Sequence, residues 1–143
     1  MRDIYSNLGV VEAIAPAVYA ADTTPTAIDL AGFNGVMLAL HIGVGGITFT
    51  AANKIEFILT HSDDDSAYTP VTADDVQGVL AVASGIVKAL TAAHAASDVT
   101  LIGYKGGKRF LKLLADFSGT HSTGTAIAAT VIKGYPAQFP VNP

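Results

Sequence analysis

The sequence contains no cysteine and no tryptophan, and it has few charged residues. Without cysteine, the chain can form neither disulfides nor thiolate metal sites. Charged residues make up 14% of the chain, whereas an average soluble domain has about 25%. With so few charges to keep its surface soluble, the domain is expected to have part of that surface covered by a partner or by copies of itself.

Long apolar runs and clusters of basic residues are also missing. No apolar stretch approaches the ~20 residues of a membrane span, so no membrane partner is expected. The net charge is −4 and the basic residues form no stripe, which predicts that the chain does not bind nucleic acid. The first twenty residues are interpreted as mature sequence rather than a signal peptide, because Asp3, Glu12 and Pro16 interrupt the required pattern.

Half of the 143 residues are hydrophobic, which suits one domain that buries about two-thirds of its unfolded surface. Four segments have the apolar alternation or the β-branched composition of strands, namely residues 36–42, 55–61, 99–102 and 126–133. Clusters of Gly, Asp and Ser separate them. This pattern predicts an all-β domain over residues 25–143, folded as an antiparallel β-sandwich or barrel.

Two further segments can be read as either helix or strand. Residues 79–95 place Val79, Val82 and Ile86 on a helical face, but residues 86–91 also resemble a strand. Residues 110–117 are equally ambiguous. In an all-β domain, both segments are more naturally strands.

Residues 103–109, GYKGGKR, combine glycines with basic side chains. A phosphate-binding loop would need glycine where Ile102 stands and Ser or Thr where Arg109 stands, so the motif fails. We therefore predict a hairpin connection whose glycines supply positive φ angles. Arg109 is expected to point inward with Leu111 and Leu113, and hence to need a hydrogen-bond acceptor.

The acidic loop Ser62–Ser66 offers oxygen ligands but lacks the spacing of an EF-hand. It is predicted to be a solvated hairpin loop whose side chains cap their own backbone. A hydrolase would have to use Ser118, His121 and Asp116, and no G-x-S-x-G motif supports that set. The four histidines have no zinc-site spacing, and no metal, cofactor or enzymatic activity is expected. They are His41, His61, His94 and His121.

Residues 1–24 are predicted to form an extended N-terminal arm outside the β domain. Their apolar residues follow no single period, and Pro16 and Pro25 block a continuous helix. The alternative is that the stretch adds an edge strand to the same chain's sheet. The apolar residues concerned are Ile4, Tyr5, Leu8, Val10, Val11, Ile14, Val18 and Tyr19.

Three strings also carry a resemblance to a known family: DLAGFN at 29–34, THSDDDSAYTPV at 60–71 and IGYKGGKRF at 102–110. Together with AATVIKGYP at 128–136, they resemble small virion proteins of tailed bacteriophages, which are head decoration (cement) proteins or minor head components. The resemblance covers roughly residues 25–136. The alanine-rich segment 79–97 departs from it.

The resemblance implies a jelly-roll-like sandwich or barrel without catalytic activity. It implies a protein made in the host cytoplasm that binds the major capsid protein on the outside of the virion and stabilises the shell. It also implies a homo-oligomer, with a trimer favoured. The residues expected to contact the capsid or a neighbouring subunit are Ile4, Tyr5, Leu8, Val11, Ile14, Tyr104, Lys105 and Arg109.

A different class of function remains open at this stage. The chain could be a β-sandwich module that binds a ligand or glycan on a virion or cell surface. Its site would combine Asp63–Asp65 with the loop around His121. Glycan sites usually use exposed aromatic rings, and aromatic residues make up only 8% of this chain.

Overall fold

A computed structural model describes residues 3–141, and nearly all of their regular structure is β-strand. A 3₁₀ turn at Tyr5–Asn7 precedes the first strand. The strands are β1 (Gly9–Tyr19), β2 (Ile28–Asp29), β3 (Phe33–Ile42), β4 (Lys54–Ser62), β5 (Thr69–Pro70), β6 (Val76–Gln77), β7 (Ile86–Leu90), β8 (Asp98–Tyr104), β9 (Phe110–Ser118) and β10 (Thr125–Pro136).

The strands form two antiparallel five-stranded sheets that pack face to face. The first sheet has the order β1-β10-β3-β8-β6. The second has the order β2-β9-β4-β5, and β7 pairs with β4 as well. The all-β sandwich expected from the sequence is therefore confirmed.

The core lies between the sheets and follows from the alternation along the long strands. Leu38 and Leu40 of β3 are fully buried, as are Phe57 and Leu59 of β4. Burying one such side chain contributes roughly 1.5–3 kcal/mol, so these inward rows hold the two sheets together.

The predicted strands at 36–42, 55–61, 99–102 and 126–133 lie within β3, β4, β8 and β10. Residues 110–117 are likewise a strand, within β9.

In the ambiguous segment 79–95, only Ile86–Leu90 is a strand. The helical alternative does not form there. Ser84 has a φ of +52°, a left-handed conformation that a right-handed helix does not tolerate.

The separate arm predicted for residues 1–24 is not confirmed, because Gly9–Tyr19 are the edge strand β1 of the first sheet. The strand pairs with β10 from Gly9↔Lys133 to Tyr19↔Thr125. Its register shifts twice, between Glu12 and Ile14 and between Ile14 and Ala17. Such bulges destroy the two-residue alternation, which is why the sequence showed no period. Residues 1–2 lie outside the described part.

The second sheet is closed along its β9 edge by the segment that follows β1. The Thr23 N–H donates to the Ala115 carbonyl at 3.1 Å, and the Thr23 hydroxyl accepts from the Ala115 N–H at 2.9 Å. The Asp22 carboxylate accepts from the Phe117 N–H at 2.7 Å. Unpaired edge amides invite intermolecular pairing, so these contacts protect this edge.

Candidate interaction surfaces

The exposed large hydrophobic side chains of residues 3–141 are unevenly distributed. There are ten such side chains, and eight of them fall into two groups. One group lies on the outer face of the first sheet and comprises Val10, Val18, Val99 and Leu101. The other lies near the two chain ends and comprises Ile4, Tyr5, Tyr135 and Phe139, which we call the terminal cluster.

The outer face of the first sheet is built by the outward positions of β1, β10, β3 and β8. Cross-strand partners in a sheet share a face, and the observed register places these side chains in continuous rows. Among them, Glu12 and His41 are the only ionisable ones. The face consists of Val10, Glu12, Val18, Met37, Ala39, His41, Val99, Leu101, Ala126, Ala128, Thr130 and Ile132.

The outer face of the second sheet has the opposite character. Charged residues of β4 and β9 share its outward positions with the apolar pair Ile58 and Leu114; they are Lys54, Glu56, Lys112 and Asp116. Lys54 and Glu56 form an ion pair with a 2.7 Å N–O distance. Charged side chains at outward positions are ordinary for a solvated sheet face, and the outer face of the first sheet has fewer of them.

A shallow groove of about 620 Å³ crosses the outer face of the first sheet in the region of His41 and Ala128. Pro16–Val18 of β1 and Ser97–Val99 form its walls, while Ala126 and Ala128 belong to its floor. The small floor residues let another surface approach the backbone closely. His41, Ser97 and Asp98 are the polar residues that line it.

Three members of the terminal cluster, Ile4, Tyr135 and Phe139, line a second groove, of about 470 Å³. The side chains of the cluster are strongly exposed, from 65% for Ile4 and Phe139 to 81% for Tyr135. The Val141 N–H donates to the Ser6 carbonyl at 3.0 Å, which joins the two chain ends.

Tyr135 has an unusual backbone conformation, with a φ of +51°. A bulky residue rarely adopts this region, and the strain costs of the order of 1–3 kcal/mol. The Asn34 side-chain amide donates to the Tyr135 carbonyl at 3.1 Å. The ring lies over Gly35, where a Cβ would come within 2.6 Å of Tyr135 Cδ2. A strained backbone thus holds an exposed aromatic ring in one place.

The glycine-rich segment 103–109 is a connection, but the predicted hairpin is wrong. It links β8 to β9, and these strands belong to different sheets. The segment therefore crosses from one layer of the sandwich to the other. Gly107 has a φ of +73°, as expected for one of its glycines.

Tyr104 anchors this crossing from the inside. Its side chain is buried, and its hydroxyl accepts from the Lys108 N–H at 3.1 Å and lies 3.0 Å from His61 Nδ1. Burial lowers the pKa of His61, so the neutral ring can accept a hydrogen bond from the Tyr104 hydroxyl. The pair ties β4 of the second sheet to β8 of the first.

Arg109 does not point inward as the sequence suggested. Its side chain is exposed and binds Asp29 through two hydrogen bonds, Nε to Oδ1 at 2.9 Å and Nη2 to Oδ2 at 2.7 Å. These bonds, with the Ala31 N–H, lower the pKa of Asp29 to about 2. Arg109 therefore has the acceptor that was expected, but its side chain is exposed rather than directed into the core.

The residues predicted as capsid contacts do not form one surface. Ile4 and Tyr5 are exposed in the terminal cluster, and Lys105 is exposed on the crossing segment together with Arg109. Leu8 and Val11 are partly buried. Ile14 and Tyr104 belong to the core at 4% and 8% exposure, so neither can contact a partner in the folded chain. The sequence missed Tyr135 and Phe139.

The acidic loop behaves as predicted, because Asp64 satisfies its own neighbours. One carboxylate oxygen accepts from the N–H groups of Ser66 and Ala67 and from the Ser62 hydroxyl, and these bonds lower the pKa of Asp64. No group of three or more His, Asp or Glu residues suited to a metal occurs among the described residues.

The glycan site built from the acidic loop and the His121 loop is not formed. Ser62, the first residue of the acidic loop, pairs with Phe110 at the start of β9, whereas the His121 loop follows the end of that strand. The two loops are thus at opposite ends of the β4–β9 pair.

His121 is a core residue at one end of the sandwich. Its ring packs edge-on against Phe117 at 4.9 Å, and Nε2 lies 2.9 Å from the Ser118 carbonyl. The contact is to the backbone of Ser118 and leaves its hydroxyl out. Asp116 faces outward opposite Glu56. The described residues therefore do not assemble the Ser118, His121 and Asp116 set.

Comparisons of the chain with protein-family models, curated proteins and solved structures gave no match. Within residues 3–141, no helix is long and apolar enough to cross a membrane.

Proposed function

We propose that this chain is a non-enzymatic virion structural protein that decorates the outside of a tailed-phage capsid and stabilises the shell. The observation that carries the proposal is the terminal cluster. Four large apolar side chains, three of them aromatic, stand exposed near the two ends of the described chain. Aromatic anchors of this kind dominate protein interfaces.

Tyr135 adds a specific reason to regard this end as functional. A strained backbone costs stability in the isolated domain, and strained residues cluster at binding sites. The partner proposed is the major capsid protein, as the resemblance implies. Ile4 and Tyr5, which the sequence marked as contacts, lie in the same cluster.

Binding of one copy through this cluster is expected to be weak. Burying its four side chains contributes about 6–12 kcal/mol before costs, and association costs about 4–15 kcal/mol. A capsid presents the same site many times, and linked copies would bind far more tightly than single ones. Decoration in this account depends on multivalency.

Fractionation of virions from the phage that encodes this chain tests the proposal. The protein should remain with DNA-filled heads when tails are removed, and heads stripped of it should rupture at lower temperature. Recovery with tails, or absence from purified virions, would contradict the proposal. Binding to cell-surface glycans by the free protein would instead favour the glycan module.

A further inference from the structure

The outer face of the first sheet combines apolar side chains with only two ionisable ones. Glu12 lies in the row Glu12–Thr130–Ala39. His41 lies in the next row on that face, opposite Ala128. The two therefore flank β10 on opposite sides, about 12 Å apart from strand spacing and rise.

We propose that this face binds the same face of a second copy of the chain. Consider a two-fold axis that lies in the interface plane and crosses the line from Glu12 to His41 at its midpoint and at right angles. This axis places the Glu12 of each copy above the His41 of the other. The imidazole N–H can then donate to the carboxylate twice per dimer. Such self-complementarity is the requirement of a two-fold interface.

The centre of this arrangement suits close packing of two sheets. Ala128 and Thr130 lie nearest the axis, and the neighbouring Ala39 is buried at 6% exposure. Small residues there let the sheets approach to about the 10 Å of stacked β-layers. The larger Val10, Val18, Val99 and Leu101 lie around this centre and would exclude water.

The sequence of β10 supports coverage on both sides. Residues 126–132, AIAATVI, contain no charge, although only Ile127, Ala129 and Val131 face the core. A strand that is apolar on both faces is typical of a sheet buried on both faces. The rest of the described chain leaves the outward side uncovered.

The available area indicates a dimer of moderate strength. Four strands about 4.8 Å apart and seven residues of about 3.4 Å give roughly 450 Å² of flat face, whereas a standard interface buries about 800 Å² per partner. Association is therefore expected at tens to hundreds of micromolar protein. This face is proposed to form a dimer whether or not the terminal cluster binds a capsid.

Sedimentation equilibrium from about 10 µM to 1 mM tests the interface. The weight-average mass should rise from 14.6 kDa towards twice that value. Glu12→Lys and His41→Glu should each weaken the dimer about tenfold or more, because each leaves an unmatched or repelling pair. The combined variant should restore it, since the lysine then faces the partner's glutamate.

Asp116→Lys, on the outer face of the second sheet, is the matched control and should dimerise as the wild type does. Melting temperatures verify that each variant is folded. A monomer at every concentration, a mass of three chains, or a combined variant no better than the single ones would overturn the two-fold interface. If the wild type is monomeric and Leu101→Lys abolishes its binding to capsids, this face binds the capsid and the dimer proposal is wrong.

Discussion

Arg109 and Asp29 lie 80 residues apart in the sequence and are joined by two parallel hydrogen bonds of 2.9 and 2.7 Å. Asp29 ends the short strand β2, and Arg109 immediately precedes β9. The Lys133 ammonium also donates to the Asp29 carbonyl at 3.2 Å. Asp29 thus links the edge of the second sheet to β10 of the first.

This link predicts a specific pH dependence. The pKa of Asp29 falls from 3.8 to about 2 on folding, so its stabilisation is complete above the unfolded value and is lost as the pH falls from about 4 to 2. Urea unfolding of wild type and Asp29→Asn should differ at pH 6 and converge near pH 2. The effect is small, since the pair is exposed.

Asp74→Asn, at an exposed turn position, is the control for Asp29 and should match the wild type throughout. If Asp29→Asn shows the same deficit at pH 2 as at pH 6, the ion pair is not its cause.

A second prediction concerns the buried Tyr104 hydroxyl. Tyr104→Phe leaves His61 Nδ1 and the Lys108 N–H without their partner, and unsatisfied buried groups cost about 1–3 kcal/mol each. The free energy of unfolding should therefore fall by at least about 1 kcal/mol. Tyr135→Phe removes an exposed hydroxyl and should leave it unchanged. Equal stability of the two variants would refute the role of this pair.

The third prediction tests β1 as part of the fold. Ile14→Ala removes a core side chain at 4% exposure and should cost about 2–5 kcal/mol. Val10→Ala, on the same strand at 65% exposure, should change stability by less than about 0.5 kcal/mol. Chemical unfolding measures both. A negligible effect of Ile14→Ala would restore the separate arm.

The sequence was sufficient for the strands whose two faces differ. Residues 55–61 alternate strictly, and every inward side chain among them is buried. It was insufficient for β1, because two bulges interrupt its alternation and the first places Ala13 and Ile14 side by side in the core. Nor could it assign strands to sheets, since residues 103–109 have the turn chemistry of a hairpin but cross between layers.

The candidate interaction surfaces could be predicted only in part from the sequence. Ile4 and Tyr5 were identified because they are apolar residues outside a clear strand pattern. Tyr135 was missed because the string GYP, with Gly and Pro on either side of the tyrosine, is typical of the turn that ends a strand. The charge-free run 126–132 was the available signal for the outer face, and it was interpreted only as a strand.

Capsid attachment through the terminal cluster is tested most directly with Tyr135→Asn. Asparagine tolerates the left-handed backbone, so this variant should be at least as stable as the wild type. In co-sedimentation with capsids assembled from the major capsid protein, it should bind at least about tenfold more weakly, since it loses a central aromatic anchor. If this variant bound capsids as tightly as the wild type does, or if the wild type did not bind them, capsid attachment through the terminal cluster would be contradicted.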